Sequence, residues 1–143
     1  MILNLDKQPR EALAAIDAAG NQLTYGELCD FSNELETAMP SRSLLFLMTE
    51  NNVGGIAWSI GCMGAKQVPL ILNVHTEEGL FLNLMEIYRP PYLCVPVGNP
   101  LAEQYETIKE SYGYVLLKTG NESCPMHEEL SHLLPTSGST GSP

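Results

Sequence analysis

Leu44-Leu45-Phe46-Leu47-Met48, entered from Ser43, is an unbroken apolar run. Its shortness and its lack of alternation mark a strand buried on both faces. After Glu50 and Asn51 the period changes, and Val53, Ile56, Ala57, Ile60 and Met63 recur at helical spacing. Gly54, Gly61 and Gly64 weaken that helix by roughly 1 kcal/mol each relative to alanine. Close backbone packing normally offsets such a cost, so the helix is expected to lie tight against the sheet. The same unit then recurs downstream. A strand is expected over 68–72, and Thr76 is expected to cap a helix showing Leu80, Leu84, Ile87 and Tyr88, stopped by Arg89-Pro90-Pro91. A strand follows over 92–97. Asn99-Pro100 is expected to cap and open a helix carrying Leu101, Tyr105 and Ile108, ahead of a strand over 114–117. The polar stretch 118–129, with Pro125, reads as a loop, and 132–135 as the last strand.

Upstream of the run, Ala14-Ala15-Ile16-Asp17 and Gln22-Leu23-Thr24 flank Gly20-Asn21 and read as a small hairpin. Thr24 stands three residues before Glu27, the spacing of a capping box, and the helix it opens carries Leu28, Phe31 and Leu35 on one face before Pro40. Strand and helix alternating in this way predict an α/β fold. The expected sheet is mostly parallel, with about five strands, right-handed crossovers and helices on both faces. Ligands of such sheets collect beyond the carboxyl ends of the strands.

The 143 residues suffice for one domain with its own core, and 44% hydrophobic with 17% charged residues excludes a mostly disordered chain. Seven Lys and Arg against 17 Asp and Glu give a formal net charge of −10, which disfavours nucleic acid and anionic membrane surfaces as partners. The uncharged run from Asn51 to Ala65 is too short and too glycine-rich to span a bilayer. Asp6, Lys7 and Arg10 near the start speak against a signal peptide, so a reduced, cytoplasmic setting is expected. Cys29, Cys62, Cys94 and Cys124 form no Cys-x-x-Cys pair and suggest neither zinc nor a redox dithiol.

Few residues carry a chemical signal. His75, His127 and His132 are scattered without carboxylates or thiols at ligand spacing, and no metal site is expected from them. Glu77-Glu78 and Glu128-Glu129 read as helix-start charges suited to the macrodipole, and Trp58 as core. The end of the chain is different. Leu133-Leu134-Pro135 leads into Thr136-Ser137-Gly138-Ser139-Thr140-Gly141-Ser142-Pro143, an apolar run opening into a Gly/Ser/Thr loop. Glycines let successive backbone N–H groups turn inward and hydroxyls add donors, so such a loop can wrap phosphate oxygens. It lacks the Gly-x-x-x-x-Gly-Lys spacing of a P-loop and the Gly-x-Ser-x-Gly order of a hydrolase elbow.

Residues 136–143 resemble the phosphate-binding loop of the adenylate-forming superfamily, Thr-Ser-Gly-Ser/Thr-Thr-Gly-x-Pro-Lys-Gly, matched without a break up to the position before the lysine. Leu23-Thr24-Tyr25-Gly26-Glu27-Leu28 is similar to the family's Leu-Thr-Tyr-x-Glu-Leu, and Gly64-Ala65-Lys66-Gln67-Val68-Pro69-Leu70 to its Gly-Ala-x-x-Val-Pro-Leu. Pro135 departs from the aromatic or small residue of many relatives. The resemblance, from about residue 12 onward, implies that residues 1–143 are the N-terminal part of a large AMP-binding domain. It implies ATP and Mg as cofactors and a carboxylic or amino acid as substrate. The acyl group would pass through an acyl-adenylate to a thiol, that of coenzyme A or of a phosphopantetheinyl carrier protein, and residues 133–143 are similar to those of acyl-CoA synthetases or D-alanine–carrier-protein ligases. Thr136, Ser137, Gly138, Ser139, Thr140 and Gly141 would hold the β- and γ-phosphates. No catalytic residue falls in this stretch, because the lysines, the acyl pocket and the magnesium-binding glutamate would follow it. The piece alone is therefore expected to be inactive, and its open sheet edge to favour self-association. A non-catalytic α/β module with a flexible Gly/Ser/Thr tail is the alternative.

Overall fold

The computed structural model describes residues 7–122, and the expected strand at 132–135 lies outside them. Two strands, β1 (Leu13–Ile16) and β2 (Gln22–Thr24), pair antiparallel as the expected hairpin. Thr24 caps α1 (Tyr25–Ala38) with both bonds of the capping box. Its hydroxyl accepts from the Glu27 amide at 3.1 Å, and the Glu27 carboxylate accepts from the Thr24 amide at 3.0 Å. Leu28, Phe31 and Leu35 are buried on one face of α1, while Asp30, Glu34 and Glu36 point to solvent.

The apolar run forms β3 (Leu44–Thr49), the second of five strands in the order β4-β3-β5-β7-β6. Its neighbours β4 (Val68–Asn73) and β5 (Tyr92–Pro96) both run parallel to it. The chain reaches β4 through α2 (Val53–Gly64) and β5 through α3 (Glu78–Tyr88). These two crossovers travel in opposite lateral directions from β3 and β4, so connections of one hand place their helices on opposite faces. Two cores result. Leu45, Leu47, Cys94, Tyr114 and Leu116 face α1, α2 and the hairpin. Phe46, Met48, Leu93, Val95, Val115 and Leu117 face the other way, onto Phe81 and Leu84 of α3.

The rest of the sheet corrects the expected topology. Asn99 does cap Pro100, its side-chain oxygen accepting from the Leu101 amide at 2.9 Å, but the helix stops after one 3-10 turn, Pro100–Glu103. Tyr105 and Ile108 are not helical. The chain instead enters β6 (Glu106–Ser111), turns at Tyr112-Gly113 and returns as β7 (Tyr114–Lys118). Both turn residues have positive φ, 54° and 81°, the pattern of a type I′ hairpin. A hairpin reverses direction, so β7 lies antiparallel to β5 and the sheet is mixed rather than mostly parallel. Thr76 is a second correction. Its hydroxyl donates to the Asn73 carbonyl at 2.6 Å, and Glu77 occupies the cap position of α3 without a side-chain bond. Ile87 of α3, expected on its buried face, is 62% exposed, while Tyr88 is 45% exposed with its ring edge-on to Phe46.

The glycines of α2 make close approaches, though only in part against the sheet. A Cβ built on Gly61 would meet Phe31 of α1 at 3.0 Å. One on Gly54 would collide with the Tyr112 carbonyl oxygen and meet the Tyr114 ring at 2.8 Å. Trp58 is fully buried as expected, its ring edge-on to Phe31 at 4.9 Å and its Nε1 donating to the Ser111 carbonyl at 2.9 Å.

Candidate functional site

Parallel strands β3, β4 and β5 end at one edge of the sheet, and the β6–β7 turn joins them there, because the Val97 amide donates to the Gly113 carbonyl at 2.9 Å. Loops at the carboxyl ends of parallel strands are where an open α/β sheet offers ligands a crevice. Clefts open along this edge, three of which follow. One of about 370 Å³ lies at the start of α2, lined by Asp17, Asn21, Gln22, Asn52 and Tyr112. A second, about 320 Å³, lies between α3 and the 3-10 turn, with Met48, Phe81, Leu82 and Leu101 as apolar lining and Thr76, Glu78, Asn99 and Gln104 as polar lining. A third, about 270 Å³, sits over the ends of β3 and β4 beside Glu50 and Asn73.

Asp17 organises the first of these. One carboxylate oxygen accepts from the Ala19 and Asn21 amides at 3.1 and 3.0 Å, which closes the hairpin turn. The other accepts from the Asn21 side-chain amide at 3.2 Å and from the Val53 amide at 3.1 Å, the first residue of α2. The carboxylate thus ties the hairpin to a helix N-terminus whose partial positive charge it complements. The Val53 amide, foremost, holds its pKa below the usual aspartate value against desolvation, the next largest effect, and the bonds from Asn21 and Ala19 add to the lowering. Beside it, Asn52 caps α2 by accepting from the Gly55 amide at 2.8 Å. The Tyr114 hydroxyl donates to the same Asn52 oxygen at 3.0 Å and accepts from the Glu50 amide at 2.9 Å. Burial pushes the Tyr114 phenol up.

A depressed carboxyl gives a definite pH dependence. In the unfolded chain Asp17 titrates near the ordinary value of about 3.9, and in the fold lower, so its contribution is complete above about pH 5 and lost as pH falls through the folded value. Asp17→Asn should therefore lower the unfolding midpoint at pH 7 and flatten its decline below about pH 4. Parallel pH profiles for the two proteins would show that the clasp on Val53 carries no stability.

The charged side chains that line these three clefts have one sign. Asp17, Glu78 and Glu50 line the three clefts, one in each, and no lysine or arginine lines any of them. The cations lie elsewhere. Arg42 donates to the Lys66 carbonyl, Lys66 pairs with Glu36, Lys109 with Glu34 and Arg10 with Asp30. No group of three or more histidine, cysteine or acidic side chains among the described residues could hold a metal ion. His75 is exposed. Burial pushes the Cys62 and Cys94 thiols up, which keeps them protonated and unreactive. These residues by themselves do not fit a triphosphate or a magnesium ion.

Thr136, Ser137, Gly138, Ser139, Thr140 and Gly141, the expected phosphate loop, lie outside the described residues, as do His127, His132 and Cys124. What the sequence reading missed is the network of Asp17, Asn52 and Tyr114. Asp17 had a local signal, since aspartate bonding amides two and four residues on is a turn habit. Its bond to Val53, 36 positions away, had none. No helix among the described residues is long and apolar enough to cross a membrane. Compared with known proteins, the chain matches no protein-family model and no curated protein.

Proposed function

We propose that the chain is the N-terminal part of an ATP-dependent carboxylate ligase that forms an acyl- or aminoacyl-adenylate and passes the acyl group to a thiol. The observation that carries the reading is the ordered string Thr136-Ser137-Gly138-Ser139-Thr140-Gly141-Ser142-Pro143 behind an apolar run. The α/β fold is compatible with it, and so is a carboxyl edge where loops from five parts of the chain converge. That edge is acidic, so on this reading the described residues shape the crevice, while the phosphate donors come from the loop and the countercharge from polypeptide and metal beyond it. The acceptor is coenzyme A or a carrier-protein phosphopantetheine.

A chain extended through the lysines, the acyl pocket and the magnesium-binding glutamate that the resemblance implies tests the reading. It is expected to catalyse carboxylate-dependent exchange of pyrophosphate into ATP, with residues 1–143 alone giving none. An extended chain that shows no exchange with any of a panel of carboxylic and amino acids favours the non-catalytic module, in which residues 136–143 are a linker.

A further inference from the structure

Helix α2 bears no charged side chain anywhere along Val53–Gly64, unlike α1 and α3, whose outward faces carry Asp30, Glu34 and Glu36 or Glu86. Val53, Ala57, Trp58 and Cys62 are buried inward. Ile56, Ser59, Ile60 and Met63 form the opposite face, at the i, i+3, i+4, i+7 spacing of a packing stripe. Ile56 is 38% exposed, Ser59 and Met63 are half-buried, and Ile60, at the edge of the stripe, is half-buried and also packs on the first core. The polar member of the stripe asks nothing of water, since the Ser59 hydroxyl donates to the Gly55 carbonyl at 2.8 Å. A helix apolar all round is made for burial on both sides.

We propose that this face is an interface between two copies of the chain, with α2 packed antiparallel on α2 about a two-fold axis between Ser59 and Ile60. The charges flanking the helix select that partner and that direction. Glu50 lies just before α2 and is exposed. Lys66 lies just after it, its side chain 77% exposed and only loosely held by Glu36 at 3.6 Å. Glu50 and Lys66 straddle the middle of the helix almost as Ile56 and Met63 do. An antiparallel pair therefore sets Ile56 against the second copy's Met63, and Glu50 toward the second copy's Lys66. A parallel pair would set like charges together. Antiparallel helix dipoles add to the preference, and an isologous patch is the geometry of a two-fold dimer. The net charge of −10 opposes association, but at physiological salt it is screened beyond about 8 Å. The interface is small, so the dimer is weak. This inference stands apart from the ligase reading.

Sedimentation equilibrium of the 143-residue chain, from micromolar to millimolar, tests it. A reversible monomer–dimer equilibrium is expected, weakened more than about tenfold by Ile60→Glu and several-fold by Glu50→Lys or Lys66→Glu alone. The double charge reversal, Glu50→Lys with Lys66→Glu, should restore it, an outcome that non-specific stickiness would not produce. These reversals leave the core untouched, so they remain informative should Ile60→Glu fail to fold. A chain that stays monomeric at millimolar concentration assigns the face to a different polypeptide and overturns the proposal. So does a dimer indifferent to Ile60→Glu, or one that the double reversal fails to rescue.

Discussion

In a chain extended through the lysines, the acyl pocket and the magnesium-binding glutamate, replacing Thr136, Ser139 or Thr140 by alanine is expected to slow carboxylate-dependent pyrophosphate exchange by on the order of 10²-fold each. The size follows from when the hydroxyls act. Pyrophosphate gains charge as it departs, so a donor aimed at its oxygens is worth more in the transition state than before it, and removing that donor falls on the rate rather than on substrate binding. Alanine keeps the backbone N–H of each position, and the drop shrinks where neighbouring amides take over. The described part of the chain sharpens the expectation, because no lysine or arginine lines the three clefts described above. Steady-state exchange at saturating ATP reads the effect directly. Unchanged rates in all three variants would remove the phosphate role of the loop.

Gly54→Ala should be the most damaging conservative change in the described fold, costing about 3 kcal/mol or the folded state itself. In an open helix the same substitution stabilises by up to about 1 kcal/mol, so here the sign reverses. The reason is what the added methyl meets. It would run into the carbonyl oxygen of Tyr112 and lie 2.8 Å from the Tyr114 ring. The oxygen belongs to a tight turn that cannot yield without disturbing the β6–β7 pairing. Gly79 is the matched control, since both glycines are the second residue of their helices. A Cβ on Gly79 would meet only the mobile end of the Glu77 side chain, at 3.2 Å. Gly79→Ala should hold or raise the urea midpoint while Gly54→Ala collapses it. Equal shifts would mean that the turn moves aside at little cost.

The three parallel strands, both crossovers and the capped first helix were legible in the residues, because each rests on a local pattern with a definite period. The run 44–48 needed no neighbour to be read as doubly buried, and Thr24 with Glu27 specify their own bonds. The β6–β7 hairpin was not legible. Leu101, Tyr105 and Ile108 fall at helical spacing behind a sound Asn99-Pro100 start, and Tyr112-Gly113 is not the usual Asn-Gly of a type I′ turn. What overrides the helical period is pairing with β7, a partner the window around Ile108 does not contain. One misplaced hairpin turned a mixed sheet into an expected parallel one. The candidate site divides in the same way. The phosphate loop is a matter of order along the chain, whereas the Asp17 and Tyr114 contacts join positions 36 and 64 residues apart and exist only once the sheet has formed.

The chain has one tryptophan, and its surroundings make it an optical gauge. Trp58 sits where α1, α2 and the β6–β7 turn meet, with Phe31 on one side and the Ser111 carbonyl on its indole nitrogen. These neighbours come from positions 27 residues before it and 53 after it. Its emission maximum thus registers assembly between distant parts of the chain rather than the state of any single helix. A shift to longer wavelength with the helical circular-dichroism signal intact would identify a species in which the helices persist while the hairpin has swung away from them.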